Sequence, residues 1–294
     1  MTFWNILAQR ISTETGKPFE LATHEETGGG CINRVVVLSA DDGRRYFVKL
    51  NEAARLPMFE AEAEGLRELA RAAAVRVPQP VCTGSAEQQA FLILEYLELG
   101  DSDSRAQERL GHQLAALHRV TQPRFGWHRD NTIGSTPQRN TWNEEWVEFY
   151  RKQRLQFQLE LAAERGDVRL QPFGEELLDR LPAFFTTYRP TASLLHGDLW
   201  GGNAATTRTG EPVIFDPAIY FGDREADLAM TELFGGFSPR FYSAYRDAAT
   251  LDAGYVVRKT LYNLYHVLNH HNLFGGGYGA QAEQMMQRLL SELR

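Results

Sequence analysis

Apolar and polar positions alternate differently in the two parts of this chain. Early on, NRVVVLS and RRYFVKL are short runs rich in β-branched and aromatic residues, separated by ADDG. That pattern predicts a β-hairpin. LPMFEAEAEGLRELARAAA follows with helix formers throughout, VRVPQP breaks it, and AFLILEYL reads as a buried strand. With a helix ahead of the hairpin, the first hundred residues read as helix, strands, one helix and more strands. ELGDSDS looks like a short linker. Beyond it the spacing predicts helices over roughly 104–121, 143–165, 173–187, 223–234, 239–250, 253–273 and 279–293. Two short apolar segments, SLLH and PVIFD, interrupt this helical part. The plan is α+β, with a small β-rich lobe over 1–97 and a larger helical lobe over 98–294. No internal repeat or low-complexity tract is present.

The chemistry concentrates in LLHGDLWGGNAA, Leu194 to Ala205. Asp198 and Asn203 are separated by four residues, and Asp216 follows at the end of PVIF. A polar turn with Asp and Asn caps would also use these residue types. The addition of Asp216 favours transfer of a phosphoryl group from Mg-ATP. In that reading Asp198 accepts the proton of an attacking hydroxyl, and Asn203 and Asp216 hold Mg²⁺. The D-x4-N spacing is that of the protein-kinase catalytic loop. Gly197 stands where protein kinases carry an arginine that answers to a phosphorylated activation loop, so the spacing points to a small-molecule kinase.

The remaining parts of an ATP site have candidates upstream. Lys49 ends the strand YFVKL and is placed to reach the phosphates. Its carboxylate partner is sought on the next helix. Glu60, Glu64, Arg67 and Arg71 share one charged stripe, which reads as solvated. Glu62 shares its stripe with Leu66, Leu69 and Ala73, so Glu62 is the expected partner. Gly28, Gly29 and Gly30 precede the first long strand and would let backbone approach phosphates closely. They match neither Walker A nor G-x-G-x-x-G. Backbone groups of Glu95 and Leu97 are placed to bond an adenine edge, or form an ordinary strand end.

Composition narrows the class. The 294 residues are 43% hydrophobic with a formal net charge of −7. An acidic balance argues against a nucleic-acid partner. No apolar run is long enough to span a bilayer and no signal-peptide pattern opens the chain, so a membrane partner is not expected. Cys31 and Cys82 form neither a disulfide framework nor a zinc pattern, and a reducing cytoplasm is the expected compartment.

GGGCINR, FVKL, MFEAEAEGL, FGWHRDNTIGSTPQRNTW, LLHGDLWGGN and FDPAIYFGDREADLAM together resemble the fructosamine-3-kinase (ketosamine kinase) family. That family lies within the aminoglycoside phosphotransferase and choline kinase group. The resemblance runs from about Phe19 to Phe274. It implies a bilobal protein-kinase-like fold and Mg-ATP-dependent phosphorylation of O3 of a ketosamine, a fructosamine or ribulosamine on a free amine or a protein lysine. Such phosphorylation destabilises the adduct and releases the amine. The family roles agree with the reading of Asp198, Asn203, Asp216 and Lys49 given above.

Other residues carry two readings each. Trp200 is either core or a wall for the substrate's sugar or amine substituent. In the late-helix cluster Asn269, His270, His271 and Asn272, His271 is taken as the substrate-side candidate, against a helix-surface role. His196 is expected to fix the loop, His112 and His118 to be structural, and Asp227 to tie the catalytic loop. The polar segment 126–142 is long enough to suggest function, with no contact assigned. Cys31, in the glycine-rich loop, is either a redox-sensitive thiol able to link two chains and block ATP, or a small loop residue. The protein is thus expected to be a monomer or a redox-linked homodimer. Three competing readings are an aminoglycoside-like small-molecule kinase, an inactive nucleotide-binding scaffold and a protein kinase. The FGW and NTW segments oppose the first. Intact Lys49, Asp198, Asn203 and Asp216 oppose the second. Gly197 and the lack of an A-P-E segment oppose the third.

Overall fold

The structure is a computed structural model that describes residues 2–28 and 32–293. Gly29, Gly30 and Cys31, read above as part of a phosphate-covering loop, lie outside the described residues. The chain divides into two compact units. One comprises Met1–Ser102 with Ala205–Asp216, the other Asp103–Ala204 with Pro217–Arg294. The short segment 205–216 therefore groups with the first hundred residues, although a linear boundary at 97/98 leaves it with the helices.

In the first unit, α1 (Phe3–Thr15) precedes β1 (Leu21–Glu26), β2 (Arg34–Ala40) and β3 (Arg45–Glu52). Then come α2 (Leu56–Arg71), β4 (Pro80–Ala86), β5 (Gln89–Glu95) and β6 (Leu99–Gly100). Five of these strands form one antiparallel sheet in the order β1-β2-β3-β5-β4. β2 and β3 are the hairpin that ADDG closes, with Val36 opposite Val48. The apolar faces of these strands pack with Phe3, Leu7 and Ile11 of α1 into one core that includes Phe91, Ile93 and Cys82. Burial pushes the Cys82 thiol up to about 11, which keeps it protonated and unreactive. α2 buries Leu66 and Leu69 of the inward stripe read from its sequence, together with Phe59, whereas Ala73, read on the same stripe, lies past the helix end, exposed and with φ +50°.

The second unit begins with α3 (Ser104–Leu117), capped by the Asp103 carboxylate on the Ala106 amide at 2.7 Å. Three short strands, β7 (Thr121–Gln122) and the pair β8 (Asn131–Ile133) and β9 (Thr136–Gln138), lead to α4 (Trp146–Tyr150). The predicted helix 143–165 is not uniform. α4 passes into a π-helical segment, Arg151–Gln156, before α5 (Phe157–Glu164). α6 (Gln171–Arg180) ends in a 3₁₀ turn, Leu181–Phe185. β10 (Ala192–Leu195) is buried along its length and runs directly into the loop at His196. After β11 (Ala204–Thr207) and β12 (Pro212–Ile214), β13 (Tyr220–Gly222) returns to pair with β10. The helices α7 (Arg224–Leu233), α8 (Pro239–Ala248), α9 (Tyr255–Phe274) and α10 (Tyr278–Ser291) complete the unit.

β11 and β12 explain the grouping of residues 205–216. Thr206 and Thr207 pair with Gly100 and Leu99 of β6, and Ile214 donates its amide to the Arg76 carbonyl at 3.0 Å. These pairings join positions more than a hundred residues apart.

Candidate active site

Lys49 lies on the central strand β3 and is almost fully buried. Its ammonium donates to Glu62 Oε1 at 2.5 Å and to Asp216 Oδ1 at 2.6 Å. Helix α2 presents Glu62 from its inward stripe, one residue from the buried Ala61 and Ala63. Burial opposes the charge on Lys49, but Asp216 and Glu62 outweigh it and hold its pKa above the usual lysine range. Burial also pushes the Glu62 carboxyl upward, while the lysine draws it down. The three groups share one positive charge between two carboxylates.

Asp216 is a non-glycine residue with φ +58°. That left-handed conformation costs about 1–2 kcal/mol. It lies two residues past the end of β12 and precedes Pro217, which confines its backbone further. The strain sits at a carboxylate that remains about 45% exposed, a position able to take a cation on its outer oxygen. Glu95, by contrast, has its amide on the Gln79 carbonyl at 2.9 Å and its carboxylate on Arg76. The Glu95 amide, one of the backbone groups read as placed for an adenine edge, is thus already engaged. Leu97 follows β5, half-buried, with no regular secondary structure. Gly28 is exposed, with no atom within 4 Å of where a side chain would begin.

In the second unit, the loop after β10 holds Asp198 half-buried between the buried residues Gly197 and Leu199. Asp227, on the first turn of α7, fixes this loop. Its Oδ2 accepts the His196 amide at 2.7 Å and its Oδ1 the Gly197 amide at 2.8 Å. His118 Nε2 lies 3.2 Å from Asp227 Oδ2, and His118 Nδ1 lies 2.8 Å from the Tyr245 hydroxyl. Burial works against the Asp227 charge, but His118, His196 and the Gly197 amide outweigh it and hold its pKa below the usual carboxylate range. The Asp198 amide donates to His196 Nδ1 at 3.3 Å. These contacts give Asp227, His118 and His196 the structural roles that their positions suggested.

Gly197 has φ +83°, and a Cβ there would meet the Ala218 carbonyl oxygen at 2.0 Å. The Ala218 amide in turn donates to the His196 carbonyl at 2.9 Å. An arginine has no room at this position. Asn203 donates its amide nitrogen to the Asp198 carbonyl at 2.9 Å. That leaves its carboxamide oxygen as the atom offered to a cation.

Asp216 in the first unit and Asn203 in the second are each side chains of the oxygen-donor type that Mg²⁺ takes. Among the described residues no cluster of three or more His, Cys, Asp or Glu side chains forms a separate metal cage. Mg²⁺ commonly takes one or two protein oxygens and fills its other positions with water and substrate phosphates.

Trp200 stands 39% exposed beside Phe234, which is 40% exposed, with ring centroids 6.2 Å apart at 77°. Phe234 meets His270 at 4.9 Å, and His270 meets Phe274 and Tyr278 at 5.6 and 5.2 Å. The run is anchored by backbone. A Cβ on Gly236 would come within 2.8 Å of Gly201 Cα, so the WGG and FGG segments pack main chain against main chain. His271 does not join this group. Its Nε2 pairs with Asp167 Oδ2 at 3.1 Å, because one residue along a helix turns the side chain by about 100°. The histidine beside Trp200's partner is His270, not His271, the member of the cluster taken from sequence as the substrate-side candidate.

Residues 3–292 match the fructosamine kinase family. The chain belongs to that family. It is 48% identical over 288 residues to the "Probable ketoamine kinase" of Synechocystis sp., covering 98% of this chain and 97% of that protein. It is 41% identical to a chloroplastic protein-ribulosamine 3-kinase of Oryza sativa subsp. indica, covering 98% of this chain and 84% of the relative. A solved structure of a candidate fructosamine-3-kinase from Haemophilus somnus 129PT superposes with a TM-score of 0.89 at 27% identity, covering 98% and 97% of the two chains.

In this member of the fructosamine kinase family, the FGW…NTW segment is a buried amide network. Asn131 donates to the Ile219 carbonyl at 2.9 Å, and Gln138 donates to the Ala218 carbonyl at 2.9 Å. Asn140 and Gln138 each donate to Asn131 Oδ1 at 2.8 Å. Tyr265 donates to Gln138 Oε1 at 2.8 Å, and the fully buried Arg154 donates to Asn140 Oδ1 at 2.8 Å. Arg154 comes from the π-helical segment and lies under the faces of Tyr220 and Phe149, 4.1 and 4.7 Å from their centroids. The network holds the Ala218–Ile219 backbone, the same backbone that abuts Gly197. The long polar segment thus holds the backbone beside the Asp198 loop. Run length hinted at a function, but the partners at 218–219 lie some eighty residues away.

Proposed function

We propose that the protein is a Mg-ATP-dependent kinase that phosphorylates the O3 hydroxyl of ketosamines, ribulosamine or fructosamine adducts of free amines or protein lysines. Family membership makes the chain a phosphotransferase to a hydroxyl group. The observation that carries the proposal is the loop of Asp198. Its backbone is locked by Asp227 from one side and by Ala218 against Gly197 from the other, which supports a fixed placement of the Asp198 side chain. The relatives' names, ketoamine kinase and protein-ribulosamine 3-kinase, supply the substrate class.

In this reading Asp198 accepts the proton of the attacking hydroxyl as the oxygen approaches the γ-phosphorus. Lys49, kept cationic by Glu62 and Asp216, binds ATP phosphate oxygens. When Asp216 engages the cation, Glu62 keeps the lysine in place. Bound Mg²⁺, held by Asn203 and Asp216, would neutralise charge developing on the phosphate oxygens. Gly28 would approach the phosphates through its backbone, and backbone groups of Glu95 and Leu97 would bond the adenine edge. The aromatic run of Trp200, Phe234 and His270 forms a wall for the sugar or its amine substituent. The protein acts in the cytoplasm; among the described residues no helix is long and apolar enough to cross a membrane.

The test offers purified protein Mg-ATP with a ribulosamine, a fructosamine and an aminoglycoside, with sugar phosphates detected by mass spectrometry. A ketosamine 3-phosphate is expected. Product from the aminoglycoside alone would sink the proposal. Trp200→Ala should raise KM for the ketosamine about tenfold and leave KM for ATP within twofold, as removal of an aromatic contact of about 1–1.5 kcal/mol predicts. Equal effects on both substrates would remove Trp200 from the sugar wall.

A further inference from the structure

A second concave surface lies within the helical unit, on the supports of the catalytic loop. It is a cleft of about 480 Å³, lined by His118, Arg119, Thr121, Thr191, Ser193 and Arg224 together with two alanines. Among the described residues no carboxylate lines it, on a chain whose net charge is −7.

We infer that this cleft is an anion site that takes the phosphate group of a small phosphate monoester.

The polar groups on its wall are suited to that role. Arg224 is half-buried and already held, because its Nη2 donates to the Thr250 carbonyl. Its guanidinium is also hydrogen-bonded to the Tyr245 side chain, so it is held in a fixed direction from which its remaining N–H groups can meet phosphate oxygens. Arg119 is exposed on the wall of the cleft. Thr121 and Ser193 face one another across the β7–β10 pairing and place two hydroxyls on adjacent strands. The acids nearest in the fold are committed elsewhere. Asp223 accepts from Tyr188 and Tyr262, and Asp227 accepts from the His196 and Gly197 amides. His118 offers no free nitrogen, since its two ring atoms are engaged with Tyr245 and Asp227. The binding chemistry is therefore that of two guanidiniums and a set of hydroxyls. A phosphate group occupies only part of such a volume, and the rest accommodates a small organic portion.

The position matters as much as the chemistry. Ser193 lies on β10, which runs into His196, Arg224 opens the helix that carries Asp227, and His118 touches Asp227 itself. A ligand here would rest on each element that holds the Asp198 loop. The inference does not depend on which sugar the enzyme phosphorylates.

The test is calorimetric titration of the full chain with inorganic phosphate and, separately, with a hexose 6-phosphate. Saturating Mg²⁺ and a non-hydrolysable ATP analogue are present throughout, so that the nucleotide site is filled. Wild type should bind one equivalent of the monoester, with Kd of about 1 mM or tighter, and inorganic phosphate more weakly. Arg119→Glu and Thr191→Glu, both at exposed positions, should each weaken binding at least about tenfold. Both should keep wild-type melting temperature and basal kinase kinetics. Absence of saturable binding overturns the inference, as does binding that either variant leaves unchanged. Tighter binding of inorganic phosphate than of the monoester identifies a free-phosphate site and overturns the monoester assignment.

Discussion

Asp198→Asn should lower kcat by about three orders of magnitude while ATP binds within about twofold of wild type. The substitution keeps the shape of the side chain. It leaves the main-chain contacts of the loop, the Asn203 amide on the Asp198 carbonyl and the Asp198 amide on His196, free to form. Asp227 continues to hold the His196 and Gly197 amides. What is lost is a group able to accept a proton. A fall in kcat with unchanged nucleotide affinity and melting temperature therefore isolates the proton-accepting role. If the variant retains turnover within tenfold of wild type, the loop serves to position substrate and the base lies elsewhere. Nucleotide affinity is best read by titration with a non-hydrolysable analogue, since a KM measured on so slow a variant loses its tie to binding.

Several features of this site were legible because they are local. The D-x4-N spacing, the later Asp216 and the Lys49 strand follow from neighbours in sequence and from strand periodicity. Glu62 was separable from Glu60 and Glu64 because a helix sorts its residues by angle, and only Glu62 shares the stripe of Leu66 and Leu69. The ADDG hairpin follows from turn chemistry. The same angular argument was not carried far enough at the end of α9. His270 and His271 are adjacent in sequence, yet one meets Phe234 and the other Asp167.

What escaped the sequence depends on pairings between distant segments. Residues 205–216 group with the first unit through Thr206, Thr207 and Ile214, whose partners lie at Gly100, Leu99 and Arg76. No periodicity encodes such a pairing. The helix read over 143–165 hides a π-helical stretch at Arg151–Gln156, because helix propensity does not distinguish i→i+4 from i→i+5 bonding. Arg154 on that stretch is buried among rings and amides, where a charged residue in an amphipathic helix is normally read as solvated. Its partner Asn140, and Asn131 and Gln138 beyond it, look like loop residues until the carbonyls of Ala218 and Ile219 are found at their donors.

Gly197→Ala should destabilise the helical unit by about 3 kcal/mol or more and abolish most turnover, whereas Gly166→Ala should cost only about 1 kcal/mol. Both glycines have positive φ, +83° and +92°, so both substitutions carry the conformational cost of a side chain in that region. They differ in what the new methyl group meets. At Gly166 nothing lies within 4 Å, while at Gly197 the Ala218 carbonyl oxygen lies 2.0 Å away. That oxygen cannot retreat easily. It accepts from Gln138, and the Ala218 amide is bonded to the His196 carbonyl, so any shift loosens the amide network and the loop together. The difference between the two variants, read by calorimetric melting of the same unit, measures the steric part alone. The loss of turnover should follow the steric part, because displacing Gly197 moves Asp198 beside it. A Gly197→Ala enzyme as stable as Gly166→Ala would mean that the contact with Ala218 relaxes freely. Gly197 would then replace the protein-kinase arginine without any demand from packing.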